Sequence, residues 1–342
     1  MTTSTRLPIV RSMSQAKPGT ILVKKIALLA SFMAVLLAAA YLGVGYYLYD
    51  KLAAVTQKPE NAANTPSHFT VTESSFPNFD ATPYQLPSYE TVRFPSRGSD
   101  LMLAGWYVPG DPAAPVVLIT HGLGSCKCEG ANLVLAALLH RQGFNVLLYD
   151  LRNHGESDRD NGRTGIGNKE YLDTLGAWDW LMTAKGFAPE RIGVYGASLG
   201  AGTTLIAFSQ EPRMAALFVD SPYADLRQVI NERMALQGYP TFLAPGGLLM
   251  ARLVDGEDLL AHNPREAITR DAGRPIFIVH GTADQSINIH HAYDLAALAS
   301  QTGANVTTWF PEGEGHVPAA LLEMTPEYEQ RLATFFNAAL RQ

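Results

Sequence analysis

The chain has 342 residues, 47% of them apolar, and a net charge of −6. This is ample material for the core of one large α/β domain, and the length does not demand two domains. The charge is uneven: residues 1–50 hold Arg6, Arg11, Lys17, Lys24 and Lys25 against Asp50 alone, leaving 21 basic and 31 acidic residues beyond them. So acidic a remainder lacks the basic stripe that nucleic-acid binding needs, and no nucleic-acid partner is expected.

From Ile26 to Leu48 there are 23 residues without a charged side chain. As a helix rising about 1.5 Å per residue, such a run crosses a hydrocarbon core of about 30 Å. Lys24 and Lys25 bound one end, Asp50 and Lys51 the other, and Tyr41, Tyr46, Tyr47 and Tyr49 gather near the second end, as interfacial rings do. A cleaved signal peptide ending at Ala38-Ala39-Ala40 is the alternative, but the apolar run continues for eight more residues. The expected organisation is a cytoplasmic basic leader over 1–25, a signal anchor over 26–49, a linker over 50–87 and a folded domain over 88–342. Positive charge before the span puts the N-terminus in the cytoplasm and the domain on the extracytoplasmic side. The Pro-, Asn-, Ser- and Thr-rich linker reads as a tether, packed in part on the domain.

Beyond it, Tyr89–Phe94 and Leu101–Val108 alternate around a polar loop and predict a hairpin. Val116–Thr120 (VVLIT) and Asn145–Tyr149 (NVLLY) are short, wholly apolar runs of the kind buried on both faces of a sheet. Helical spacing over 129–141 and 169–185 alternates with these strands. Further strands are expected at Arg191–Tyr195, Ala216–Val219, Pro275–Val279 and Val306–Phe310, with helices from Leu199, near 290–301 and near 319–340. Such alternation predicts a mostly parallel sheet covered by helices on both faces, with the hairpin as an antiparallel edge. Residues 221–274 exceed one crossover and are read as a small helical lid above the strand ends. Its Phe242, Leu243, Leu248, Leu249 and Met250 give an apolar face, for acyl chains or for packing on the core. Cys126 and Cys128, one residue apart, suit neither a disulfide staple nor a zinc knuckle. They read as small loop residues, with a strained pair as the alternative.

The chemistry concentrates in three places. Gly196-x-Ser198-x-Gly200 falls between a buried strand and a helix, where a nucleophile needs a turn so tight that its flanks must be tiny. His121-Gly122-Leu123-Gly124 closes an earlier strand, and its glycines free backbone N–H groups for a substrate oxygen; the N–H groups of Leu123 and Leu199 are the expected oxyanion hole. His121 itself reads as a brace for that loop. Asp284, after the strand Pro275–Val279, is the expected partner of an imidazole, with Asp220 as its rival. His316, in a glycine-flanked loop after the last strand, is third in the order Ser, Asp, His and is the expected base. No metal or organic cofactor is implied.

The stretches HGLGSCKCE, YDLRNHGESD, YGASLGAGT, VDSPYADL, VHGTADQSI and GEGHV resemble the α/β-hydrolase superfamily, in particular its bacterial serine esterase/aminopeptidase-like branch with an N-terminal membrane anchor. The resemblance runs from about residue 88 to the end. It implies an eight-stranded core with Ser198, Asp284 and His316 as triad, and a structural loop at Asp150 and Arg152–Ser157 bordering the site. The expected activity is cleavage of an ester or thioester of a small or lipid-like acyl substrate through an acyl-enzyme on Ser198. A peptidase or amidase on the same triad is the alternative, and a non-catalytic binding protein on the same scaffold the remoter one.

Overall fold

A computed structural model describes residues 18–55, 62–271 and 273–340, so most of the expected leader, 1–17, lies outside it. Eight strands form one sheet: β1 (Glu90–Pro95), β2 (Met102–Val108), β3 (Val116–Thr120), β4 (Asn145–Tyr149), β5 (Ile192–Ala197), β6 (Ala216–Asp220), β7 (Ile276–Val279) and β8 (Val306–Trp309). Their order is β1-β2-β4-β3-β5-β6-β7-β8. The hairpin strands β1 and β2 run antiparallel at one edge, and β3 to β8 pair in parallel. This is the α/β-hydrolase fold.

The strands bury both faces because every second side chain enters a different core. Leu118, Leu147, Val194 and Ile278 join one cluster, and Val117, Ile119, Val146 and Val279 the other. The helices are α1 (Pro18–Ala53), α2 (Gly130–Arg141), α3 (Tyr171–Thr183), α4 (Leu199–Gln210), α5 (Leu226–Leu236), α6 (Ala244–Asp255), α7 (Pro264–Ile268), α8 (His290–Thr302), α9 (Ala319–Glu323) and α10 (Thr325–Leu340). Helices α3, α4 and α8 cover the first cluster, α2, α9 and α10 the second. The single closing helix expected near 319–340 is therefore two, α9 and α10, which part at Met324. Pro326, whose missing N–H suits only a first turn, starts the second. Between β6 and β7, α5, α6 and α7 make up the lid.

The remaining helix, α1, is apolar from Leu22 to Ala53, long enough to cross a membrane, a property it shares with signal sequences. It is longer than the expected 26–49 span, and its last turns rest on the domain. Tyr49 and Ala53 are fully buried in the first core cluster. Lid helix α6 runs beside these turns in the same direction: Tyr41 Oη donates to the Phe242 carbonyl, and Tyr49 Oη donates to the Asp255 carboxylate. The two backbones nearly touch at Gly45, where a Cβ would lie 2.7 Å from the Gly246 carbonyl carbon. Arg163 ties the end of α1 to the domain through Asp50 at 2.8 Å. The described part of the expected linker also lies on the domain, with Phe69, Val71, Ala81 and Leu86 buried in the second cluster.

Candidate active site

The sharp elbow at Ser198 follows from what the strand–helix junction will admit. Ser198, between β5 and α4, has φ 54° and ψ −116°, a backbone conformation that L-residues adopt only under constraint. A Cβ on Gly196 would strike the Gly200 carbonyl, and one on Gly200 would strike the Thr120 carbonyl. The elbow is thus wedged between its own helix and the end of β3. The Ser198 N–H donates to the Asp220 carbonyl at 2.8 Å, closing the turn on the next strand.

His316, in the loop after β8, lies across the elbow. Its Nε2 is 2.8 Å from Ser198 Oγ and its Nδ1 is 2.7 Å from Asp284 Oδ2. Asp284, in the loop after β7, also accepts the N–H groups of Ser286 and Ile287 at 2.7 and 3.0 Å. Burial works to raise its carboxyl, but hydrogen bonds from His280 and His316 outweigh that and hold it well below the usual carboxylate range. Asp220, the rival acid, is engaged elsewhere, accepting from Tyr328 Oη at 2.8 Å and Ser221 Oγ at 2.9 Å. Burial raises its carboxyl. His280 braces the acid loop: its Nε2 contacts the Ile287 carbonyl at 2.8 Å and Asp284 at 3.1 Å.

The turn bearing Leu123 lies against Ser198, since a Cβ on Gly122 would meet Ser198 Cβ at 3.4 Å. Gly124, the other glycine of that turn, has φ 69°, which an L-residue adopts only with strain. Leu199 is the first residue of α4, so its N–H has no acceptor within the helix. His121 holds the turn from behind: Nδ1 donates to the Gly122 carbonyl at 2.8 Å and Nε2 accepts from Leu151 N–H at 3.0 Å. Burial, with His154 beside it, lowers this imidazole to about 3, so it stays neutral. Asp150 reinforces the loop, accepting Lys127 N–H at 2.7 Å and Lys127 Nζ at 2.6 Å in a buried pair. Arg152 pairs with buried Asp173 at 2.6 Å, which leaves the Arg152–Ser157 loop a support for the site.

The cysteines correct the expectation of unpaired loop residues: Cys126 and Cys128 are bonded to each other. Lys127 between them turns inward to Asp150, so both thiols fall on the same side, with Cα atoms 5.0 Å apart, inside disulfide range.

A cleft of about 530 Å³ opens over Ser198 and His316. Its apolar walls include Leu48 and Leu52 of α1, Ile230 and Met234 of α5 and Leu248 of α6. Besides His316, its charged or titratable lining is Lys51 and Arg233, both exposed, and Tyr47, Tyr49, Tyr223 and Tyr239; no carboxylate lines it among the described residues. Sequence reading missed the α1 wall entirely, because an uncharged run looks the same whether lipid or protein covers it. The apolar lid face divides: Leu243, Leu248 and Met250 pack toward the core, whereas Phe242 and Leu249 stay exposed. Where α5 meets α8, Glu232 is hydrogen-bonded by His290 at 2.8 Å and His291 at 3.3 Å, a group close enough for a cation and satisfied as it stands as a lid latch.

The sequence profile of the prolyl oligopeptidase family matches residues 134–342, which include Ser198, Asp284 and His316. The chain belongs to this family. Among relatives, the uncharacterized protein YfhR of Salmonella typhi is 25% identical over 265 residues, 73% of this chain and 82% of its own. The Pyrococcus furiosus esterase Pf2001 superposes with a TM-score of 0.60 at 22% identity, covering 77% of this chain and 96% of the esterase. An acylaminoacyl peptidase of Pyrococcus horikoshii gives a TM-score of 0.57 at 18% identity, covering 75% of this chain and 42% of the peptidase. At these identities the two structures speak for the fold alone. Like its family, the chain is an α/β-fold hydrolase.

Proposed function

We propose that Ser198, Asp284 and His316 form a catalytic triad that cleaves an acyl ester or thioester through an acyl-enzyme on Ser198. The observation carrying this is the His316 imidazole, within hydrogen-bond reach of Ser198 Oγ on one side and Asp284 on the other. His316 Nε2 takes the Ser198 proton as Oγ attacks the carbonyl, and Asp284, held ionised, stabilises the imidazolium. The N–H groups of Leu123 and Leu199 receive the oxyanion, and Gly122, Gly124, Gly196 and Gly200 let the two loops approach closely enough to aim them. Water then releases the acyl group.

A peptidase or amidase is the second reading, favoured by the family match over residues 134–342. The cleft argues for the ester, since its apolar walls suit an acyl chain and, among the described residues, no carboxylate lines it to pair a peptide α-amino group. Residues 88–342 serve as the catalytic unit and 221–274 as its lid. We place the protein in the cell membrane as a signal anchor, N-terminus cytoplasmic, with the catalytic domain outside. The Cys126–Cys128 bond suits that oxidising side.

Fluorophosphonate labelling of the full chain tests the reading. Wild type is expected to label, and Ser198→Ala and His316→Ala to lose turnover by about three orders of magnitude or more. A folded wild-type protein that takes no label would return the scaffold to a binding role. Rates on matched ester and anilide substrates decide the bond.

A further inference from the structure

The cleft and the membrane helix are one construction. Lid helix α6 starts beside Tyr41, seven residues before the uncharged run ends at Leu48, a depth of about 10 Å along the helix. With α1 spanning a bilayer, the N-terminal end of α6 lies at the level of the outer head groups and upper acyl chains. The lid surface there is not polar. Phe242 is 68% exposed at that end, Leu249 is exposed further along, and Leu253, 64% exposed, and Val254 follow near the C-terminal end of α6, level with the end of the uncharged run; Leu236 and Tyr239, before the helix, are exposed as well. No protein segment among the described residues covers these side chains, and α1 is exposed too: its most apolar window has none of its residues buried. An apolar face at that height is what an interfacial element presents to lipid.

The cleft passes between these two membrane-facing elements to Ser198. Leu48 and Leu52 of α1 face Ile230, Met234 and Leu248 of the lid across it, which makes a slot for a hydrocarbon chain. Lys51 and Arg233 flank it with charge and meet no carboxylate there, so an anion is the complementary head.

We infer that the cleft is loaded from the bilayer: its substrate is an acyl ester of an anionic membrane lipid, its chain between α1 and the lid, its head group between Lys51 and Arg233. This rests on Ser198 as nucleophile and α1 as anchor. Ser198 Oγ bonds to the acyl carbon as the bond to the head-group alcohol breaks, and His316 carries the Ser198 proton to that alcohol. Water then yields the free fatty acid and restores the hydroxyl.

The test is full-length protein reconstituted into vesicles of phosphatidylcholine alone, or of phosphatidylcholine and phosphatidylglycerol in equal parts, with fatty-acid release measured. Dissolved p-nitrophenyl butyrate is the control substrate. Release from phosphatidylglycerol is expected to exceed that from phosphatidylcholine by at least about fivefold. Lys51→Gln with Arg233→Gln should bring the two together; equal rates in wild type would remove the anionic head group from the inference. Phe242→Glu and Leu253→Glu, neither lining the cleft, should each lower vesicle release at least about tenfold and leave butyrate hydrolysis unchanged. Should Phe242→Glu lose both activities through misfolding, Leu253→Glu decides. Vesicle release indifferent to both lid variants overturns the inference. So does butyrate turnover with Ser198 labelling but no release from any vesicle, whereas loss of labelling and butyrate turnover together brings down the Ser198 reading itself.

Discussion

The two halves of α1 read alike in sequence and live in different surroundings. Leu28, Leu29, Phe32 and Val35 in the first half are exposed, whereas Tyr49 and Ala53 in the second are buried with the hydrolase core. Hydropathy reports only that a residue avoids water. Whether lipid or protein supplies the shelter depends on what lies opposite, and here that is α6, some two hundred residues away in the chain. The second half is thus a wall of the cleft, while the first half is an apolar helix that no described part of the protein covers.

Truncation draws this contrast most sharply. A chain beginning at Tyr41 should keep the fold, with a thermal midpoint close to that of the full protein in the same detergent. One beginning at residue 56 loses Tyr49 and Ala53 from the core and one wall of the cleft. Burying a large aromatic is worth about 3–5 kcal/mol on truncation, so its midpoint should fall by at least about 6 °C. Equal midpoints for the two would mean that the helix merely leans on the domain.

A gentler contrast uses two glycines one turn apart at most. Gly45→Leu forces a side chain into the Gly246 backbone and should cost about 1–3 kcal/mol, opening the gap between α1 and α6. Gly43 has nothing within 4 Å of a Cβ, so Gly43→Leu should be neutral or slightly stabilising through helix propensity. Chemical unfolding of both variants beside wild type checks this, and similar losses would refute the close approach. Smallest is Asp50→Asn, which removes a partly exposed ion pair with Arg163 and should lower stability by about 0.2–1 kcal/mol. A larger loss by the same unfolding assay would show that this pair, rather than the glycine contact, holds the helix end.

The sheet was legible because parallel strands buried on both faces read as unbroken apolar runs, and VVLIT and NVLLY fall where β3 and β4 do. Ser198 was legible because a strand–turn–helix junction leaves so few residue choices at positions 196, 200 and 202. Asp284 and Asp220 both follow strands in the sequence, and the geometry separates them as no pattern does: Tyr328 and Ser221 occupy Asp220, whereas Asp284 meets His316. The cysteine pair went unread because its closeness depends on Lys127 turning inward to Asp150, a contact set by the tertiary fold. The α1 wall went unread for the same reason, since its partner glycines lie far apart in the chain. Local pattern betrays what is built locally.

The hydrogen bond from Tyr49 to Asp255 joins residues 206 positions apart. At about 5–20 residues per second, α1 leaves the ribosome some 10–40 seconds before α6 is made. Throughout that interval the glycine flank of α1 has no α6 to meet. The α1 wall of the cleft therefore closes only after the first six strands of the sheet have been made.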